Sequence, residues 1–364
     1  MSVFDVNAHI HTPYSFSCFE SVSQALDMAV SEGVKVVGIN DFYTMDGYKE
    51  WKEGCAARSL FPLLGMEMIS LHSDFQSNGV RVNDPGNPGR TYISGKGLAY
   101  PCILGGRQAQ ELAAVKKESN LQVESMCARL NAHLTACNAG FQVDFDWVAM
   151  NLTSGQTRER HLAKALRILA SQNVDSEKLP EFYKNIFGGS EPKSSLSDNA
   201  ALENEIRSKL LKAGGAAFVP ETPSAFLPLE NVKDIILAAG GIPTYPFLAD
   251  DAKGNFTDFE GDLQKAADTL KSWGFNSVEF ITTRNTTAVL ESYSSYLEDE
   301  GFIVSFGSEH NSPSLEPLKL RTRDAAGLSE KLRKVNWRGA CAIAAHQAGL
   351  DSIDAGEELI MKTI

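Results

Sequence analysis

Two of the seven histidines in this 364-residue chain stand two apart near its start, in Asn7-Ala8-His9-Ile10-His11-Thr12-Pro13-Tyr14-Ser15. They end a short apolar run that reads as a strand, where residues i and i+2 point to the same face. Two imidazoles brought to one spot suit a divalent metal. The plainer reading is that the histidines only cap the strand. The scarcity of histidine in the chain, and carboxylates at later strand ends that could complete a ligand set, favour metal.

Those residues need a frame, and the sequence describes one. Apolar runs alternate with helix-period segments in the manner of an α/β protein with a mostly parallel sheet. Residues 4–11, 35–40 and 63–70 read as strands. A helix is expected over 21–32, with Val22, Ala25, Leu26 and Ala29 on one face and Gly33 as its stop. The segment 83–97 is rich in Gly and Pro and predicts a loop or hairpin. From 107 to 214 the pattern is helical (109–139, 157–171, 198–212) without a convincing strand, as in an insertion. Alternation resumes through 232–239, 241–246, 259–273, 277–282, 287–298 and 302–308, and two tail helices are expected at 325–334 and 338–348.

Composition narrows the partners. With 43% hydrophobic residues the chain can bury a sizeable core. No apolar run approaches the ~20 residues that span a bilayer. The start lacks a basic region followed by an apolar signal segment, and the six cysteines show no paired spacing, so free thiols in a reducing cytoplasm are expected. A net charge of −12 offers nucleic acid no general attraction, though a local basic pocket could hold a small anion.

The runs NAHIHTPYSFS, GINDFYTMDGYKE, GMEMIS, GGIPTYPF and FGSEHN, in that order, resemble the PHP (polymerase and histidinol phosphatase) domain family over roughly residues 4–72 and 216–312. TRERHLAKAL is similar to a helix that many such proteins insert. The resemblance implies a distorted seven-stranded (β/α) barrel: its N-terminal part in 1–104, a helical insertion in 105–215, its C-terminal part in 216–315 and a helical tail in 316–364. It also implies metal ions at the C-terminal mouth, where barrel enzymes place their chemistry. The first would be held by His9, His11, Glu67 and Glu309, with Glu309 standing for the usual Asp. The second would need histidines where Asn83 or Arg81 and Tyr245 stand, and the third would need ligands where Phe16, Phe42 and Asn311 stand. One ion is therefore expected, or two if His310 or His72 substitutes; the ligand set suits zinc, manganese or iron.

Around that centre the candidate catalytic groups are Asp41, Arg284 and His310. Asp41 could orient a ligand histidine or could serve as a helix cap or turn residue. Arg284, directly after a strand, could grip phosphate through paired hydrogen bonds, and the resemblance places a substrate-contacting arginine there as well. Arg90, Arg160 and Tyr245 join it as candidate substrate contacts, against an ordinary solvated role for Arg90 and Arg160. Lys96, in the glycine-rich GRTYISGKG, reads as a solvated loop residue, and His133 and His346 as helix-packing residues. The expected activity is a metal-dependent phosphoesterase acting on a small phosphorylated molecule through a metal-bound hydroxide, with neither nucleic acid nor membrane as partner. The alternatives are a barrel that binds a ligand or protein without turnover, and an amidohydrolase-type barrel, which would need two further histidines and an Asp at later strand ends.

Overall fold

In a computed structural model, which describes residues 3–364, the apolar runs form β1 (Asp5–Ile10), β2 (Val34–Phe42), β3 (Phe61–Leu71), β4 (Arg90–Lys96), β5 (Ile242–Phe247), β6 (Ser277–Ile281) and β7 (Ile303–Gly307). They pair in sequence order as one seven-stranded sheet. β4 runs antiparallel to β3 and β5, and the remaining pairs are parallel. The sheet curls until its ends meet, with a parallel bridge between Ile10 and Glu309 and the His11 amide donating to the Glu309 carbonyl at 2.7 Å. Near-closure leaves little unpaired edge. It also places the ends of the parallel strands around one mouth.

Helices α1 (Val22–Ser31), α2 (Tyr48–Ala56) and α3 (Ser73–Ser77) follow the first three strands. α1 begins where the Ser21 side chain accepts from the Gln24 amide, and it buries Val22, Ala25, Leu26 and Ala29 as the periodicity predicts. Between β4 and β5 lie α4 (Gly106–Ala136), α5 (Phe145–Asn151), α6 (Glu159–Asn173), α7 (Leu179–Ile186) and α8 (Asn199–Ile206), the last continuing into a π-helical turn over Arg207–Leu211. This block has its own core, with Leu130, Leu134, Leu162, Leu166, Ile186 and Ile206 buried together. α9 (Leu229–Ala238), α10 (Leu263–Ser272) and α11 (Thr287–Asp299) return to the barrel, and α12 (Glu330–Gln347) and α13 (Ile353–Thr363) end the chain. Among the described residues no helix is long and apolar enough to cross a membrane.

Two sequence expectations change. The segment 83–97 contains a true strand, because β3 and β5 flank residues 90–96 on both sides and supply partners for their backbone. The tail is one helix across the expected break, followed by α13. Gly339 does not interrupt α12; it lets the helix approach β7, where a Cβ would sit 1.9 Å from the Val304 carbonyl oxygen. Asn336 then bridges the seam of the barrel, accepting from the Phe306 amide at 2.8 Å and donating to the Val6 carbonyl at 3.0 Å.

Replacing Gly339 by Ala should therefore push α12 off the seam and cost ~1–3 kcal/mol, the usual range for overpacking. A lowered urea midpoint in the Gly339→Ala protein checks this. An unchanged midpoint would show that α12 does not hold the seam.

Candidate metal centre

His9 and His11 sit on either side of Ile10 at the end of β1 and share its inward face. Their Nε2 atoms are 3.2 Å apart. From β3, Glu67 Oε2 reaches to 3.2 Å from His11 Nε2 and 3.8 Å from His9 Nε2. All three residues are buried, and their ligand atoms lie within 4.8 Å of one another.

What stands behind each imidazole fixes its direction. His9 Nδ1 is 3.0 Å from Glu279 Oε2, on β6. Glu279 also holds the Lys96 ammonium at 2.7 Å and accepts from the Ser94 hydroxyl. Lys96 Nζ in turn donates to the Ala8 carbonyl at 2.9 Å and to Asn40 Oδ1 at 3.2 Å. His11 Nδ1 is 3.3 Å from Ser15 Oγ. The Ser15 and Thr12 hydroxyls each donate to Asp41 at 2.5 Å, and the Thr12 amide adds a third bond at 2.7 Å. Glu279 and Ser15 assign the ring protons to Nδ1 and leave both Nε2 atoms basic beside Glu67, with the Asn40 amide nitrogen also 3.2 Å from His9 Nε2. Glu67 Oε2 has no hydrogen-bond partner. Three electron pairs this close repel unless a proton or cation lies among them, and two imidazoles with one carboxylate are a fitting donor set for zinc, manganese or iron.

The titration tendencies agree. Burial pushes the Glu67 carboxyl up to about 8, with His9 opposing and Glu309 and Glu279 adding to the rise. Glu279 is as buried, which alone would raise it, yet the Lys96 ammonium and His9 hold it well below the usual carboxylate range. Burial lowers His11, with Asp41 opposing.

Glu67 also lines a cavity of about 120 Å³. The barrel contributes Glu67, Arg284, Glu309 and Asn311, with Phe16 and Phe42 at the rim, and the helical block contributes Arg158, Glu159, Arg160 and Arg207. Arg284 pairs with Glu309 at 2.6 Å. Glu159 is held by Arg207 at 2.9 Å and Lys212 at 3.2 Å. The block is docked through backbone, with the Ser154 amide on the Pro13 carbonyl at 3.0 Å and the Gln156 amide on the Tyr14 carbonyl at 3.3 Å. Between them only glycine fits, since a Cβ on Gly155 would lie 2.2 Å from the Tyr14 oxygen.

The structure thus brings His9, His11 and Glu67 together and places Arg284 and Arg160 over them. Asp41 lies inside β2 and caps no helix; it reaches His11 through Ser15. Several expectations are corrected. Glu309 stands beside the cluster but outside it, its two oxygens turned to Arg284 and to Asn311 at 3.0 Å. Tyr245 faces away from the mouth, fully buried, with its hydroxyl on Glu260 at 2.7 Å. His310 is turned by a φ of 59° and has both ring nitrogens engaged, with Ser308 Oγ and the Glu316 carbonyl, each at 2.7 Å. His72 stacks between Phe75 and Trp273, away from the cluster. Arg90 lies in a neighbouring hollow, paired with Glu221. Lys96 is 2% exposed, an interior ammonium rather than a solvated one. Sequence reading missed Glu279, Arg158 and Arg207; the central position of Glu279 in SVEFI, a strand buried throughout, is the one available signal.

No family model matches the chain, and no curated protein matches it in sequence. Solved structures do share its fold. An amidohydrolase from Chromobacterium violaceum, solved with bound sulfate and no metal, superposes with a TM-score of 0.59 at 16% identity, over 94% of this chain and 96% of its own. A proposed metal-dependent phosphoesterase from Bifidobacterium adolescentis superposes with a TM-score of 0.58, also at 16% identity, over 92% and 96%. Both likenesses, at this identity, are likenesses of fold.

The charge chain behind His9 yields a double-mutant test. Glu279→Gln or Lys96→Met alone should cost ~3–5 kcal/mol, because each strands a buried charge. The double variant should cost clearly less than the sum, as read from guanidinium unfolding. Simple additivity would show that the pair is not coupled.

Proposed function

We propose that this protein is a metal-dependent phosphoesterase acting on a small phosphorylated molecule, on a barrel of PHP type. One observation carries the reading. The unpartnered Glu67 oxygen, grouped with the His9 and His11 imidazoles, lines a small cavity rich in arginine. His9, His11 and Glu67 would hold one divalent ion, zinc, manganese or iron, and leave positions open for water and substrate. Such an ion supplies Lewis acidity toward a phosphoryl oxygen and makes water a better nucleophile near neutral pH.

The remaining work falls to the protein. Glu279 and Asp41 are positioning residues that keep the two Nε2 atoms aimed at one point. Arg284 and Arg160 bind the phosphoryl oxygens, with Glu309 holding Arg284 at the rim. The cavity is well below the 300–1,000 Å³ of typical small-molecule pockets, which favours a compact anionic group over a polymer. The two structural neighbours are described as acting on different bonds, so the choice of phosphoester rests on this chain's own arginines. Amide hydrolysis has no use for so many guanidinium groups, whereas phosphate matches their geometry.

One feature favours a second reading, binding without turnover. The Phe42 ring lies flat against His11, centroids 5.0 Å apart at 15°, and closes one side of the centre.

Protein purified without chelator should carry about one equivalent of metal by elemental analysis, given this ligand set. It should hydrolyse an aryl phosphate when manganese or zinc is supplied. His9→Ala and Glu67→Ala should lose the metal and about 100-fold or more of the rate. An undiminished rate in Glu67→Ala, or metal-free wild type that takes up no ion, overturns the proposal. Tight metal without turnover of any phosphoester selects the second reading.

A further inference from the structure

Each phenylalanine at the rim is in contact with one histidine and one arginine. Phe42, from β2, stacks on His11, and the Arg158 guanidinium sits over its ring at 5.1 Å. Phe16, from the loop after β1, meets His161 edge-on with centroids 5.0 Å apart, and carries the Arg160 guanidinium at 5.3 Å. The phenylalanines belong to the barrel and the arginines to the start of α6. Two cation–π contacts therefore join the block to the mouth.

The charge state of these arginines sets them apart from their neighbours. Arg284 has Glu309, and Arg207 has Glu159. Arg158 and Arg160 have only neutral hydrogen-bond partners, Ser119 Oγ at 3.3 Å and Asn204 Oδ1 at 3.1 Å. Among the described residues neither has a carboxylate within salt-bridge distance, yet both line the cavity above Glu67. Burial and the neighbouring Arg207 push Arg160 down to about 10, with Glu159 and Glu309 opposing, whereas Arg158, which burial alone would lower, is held up by Glu159 and Glu221. With no carboxylate in direct contact, each half-buried guanidinium leaves most of its five N–H donors unused.

We infer that Phe42 and Phe16 seat Arg158 and Arg160 as a paired oxyanion clamp, which grips a phosphoryl group from the helical-block side while His9, His11 and Glu67 face it from the barrel. The clamp deepens the phosphoesterase reading and rests on it for the identity of the group held. It favours a tetrahedral dianion over a carboxylate, because two guanidinium groups can each engage a different pair of phosphoryl oxygens. Phe16 and Phe42 act through the arginines and are positioning residues.

The test is titration calorimetry of inorganic phosphate into the full chain, metal-loaded and chelator-treated, with metal content measured on every variant. Arg158→Gln and Arg160→Gln should each weaken phosphate about 10-fold or more, the usual loss of a charged hydrogen bond, with metal content unchanged. Phe42→Leu and Phe16→Leu should weaken it about 2- to 5-fold, the scale of a partly exposed cation–π contact. Phe42→Leu should add nothing in the Arg158→Gln background, nor Phe16→Leu in Arg160→Gln. Arg158→Lys should recover only part of the loss. Wild type that does not bind phosphate, arginine variants that bind it as wild type does, or phenylalanine effects that persist without their arginine each overturn the clamp. Should a leucine variant fail to fold, the arginine variants still decide. Arginine-dependent phosphate binding without phosphoester turnover leaves the clamp standing and removes the hydrolase reading. Turnover with an unchanged KM in both arginine variants does the reverse.

Discussion

The Glu279 carboxylate, sealed inside the barrel, is the constraint on which the site is built. Withdrawing a carboxylate and an ammonium from water costs several kcal/mol each, and only complete pairing returns it. Here the pairing is complete. Glu279 receives Ser94, Lys96 and His9, and the three protons of Lys96 are spread over Glu279, Asn40 and the Ala8 carbonyl. Four strands, β1, β2, β4 and β6, are tied through one charge centre. The antiparallel β4 matters because it delivers both Lys96 and Ser94 to that point. Once His9 Nδ1 is held there, Nε2 has no choice but to face the mouth.

From that fixed edge outward, the charges sort into two layers. Two arginine–glutamate pairs, Arg284 with Glu309 and Arg207 with Glu159, largely cancel. Below, Glu67 and the two Nε2 atoms bring three donor atoms to one point, and above, Arg158 and Arg160 have no carboxylate in direct contact, Glu159 acting on them only at a distance. Charges in so small a space are poorly screened. A cation below and an anion above satisfy both at once, and a metal ion with a phosphoryl group is the simplest such pair.

Much of this arrangement is written in local sequence. The His-x-His spacing, the lone carboxylate within the apolar run GMEMIS and an arginine just after a strand are all readable, because barrel strands converge on one mouth. Period-2 alternation was a usable signal at β5 too: Pro246 lines the cavity, so its neighbour Tyr245 must point the other way. Other features are set by distant partners. The Glu279–His9 contact spans 270 residues. The segment 83–97 reads as a loop or hairpin from its glycines and prolines, and which part of it is strand is settled by β3 and β5, which flank residues 90–96 and receive their backbone. Likewise nothing in TRERH says which side of α6 will lie over the barrel, since α6 packs into the block's own core.

The far end of the block keeps a core of its own, while the start of α4 shares the barrel's core through Leu112 and Val115. Over the mouth itself the block is held by two backbone hydrogen bonds either side of Gly155 and the two arginine–phenylalanine contacts. An anion touching both the barrel side and the block side adds to those contacts. By linkage, whatever fraction of binding free energy the anion draws from the block is returned as tighter docking, and loosening the dock must weaken the anion by the same factor. A phosphoryl transition state spreads charge over oxygens that point in several directions, and a single ion covers only one of them. In the proposed one-ion site the other directions would fall to groups that approach from elsewhere, and the helical block is the element placed to carry them.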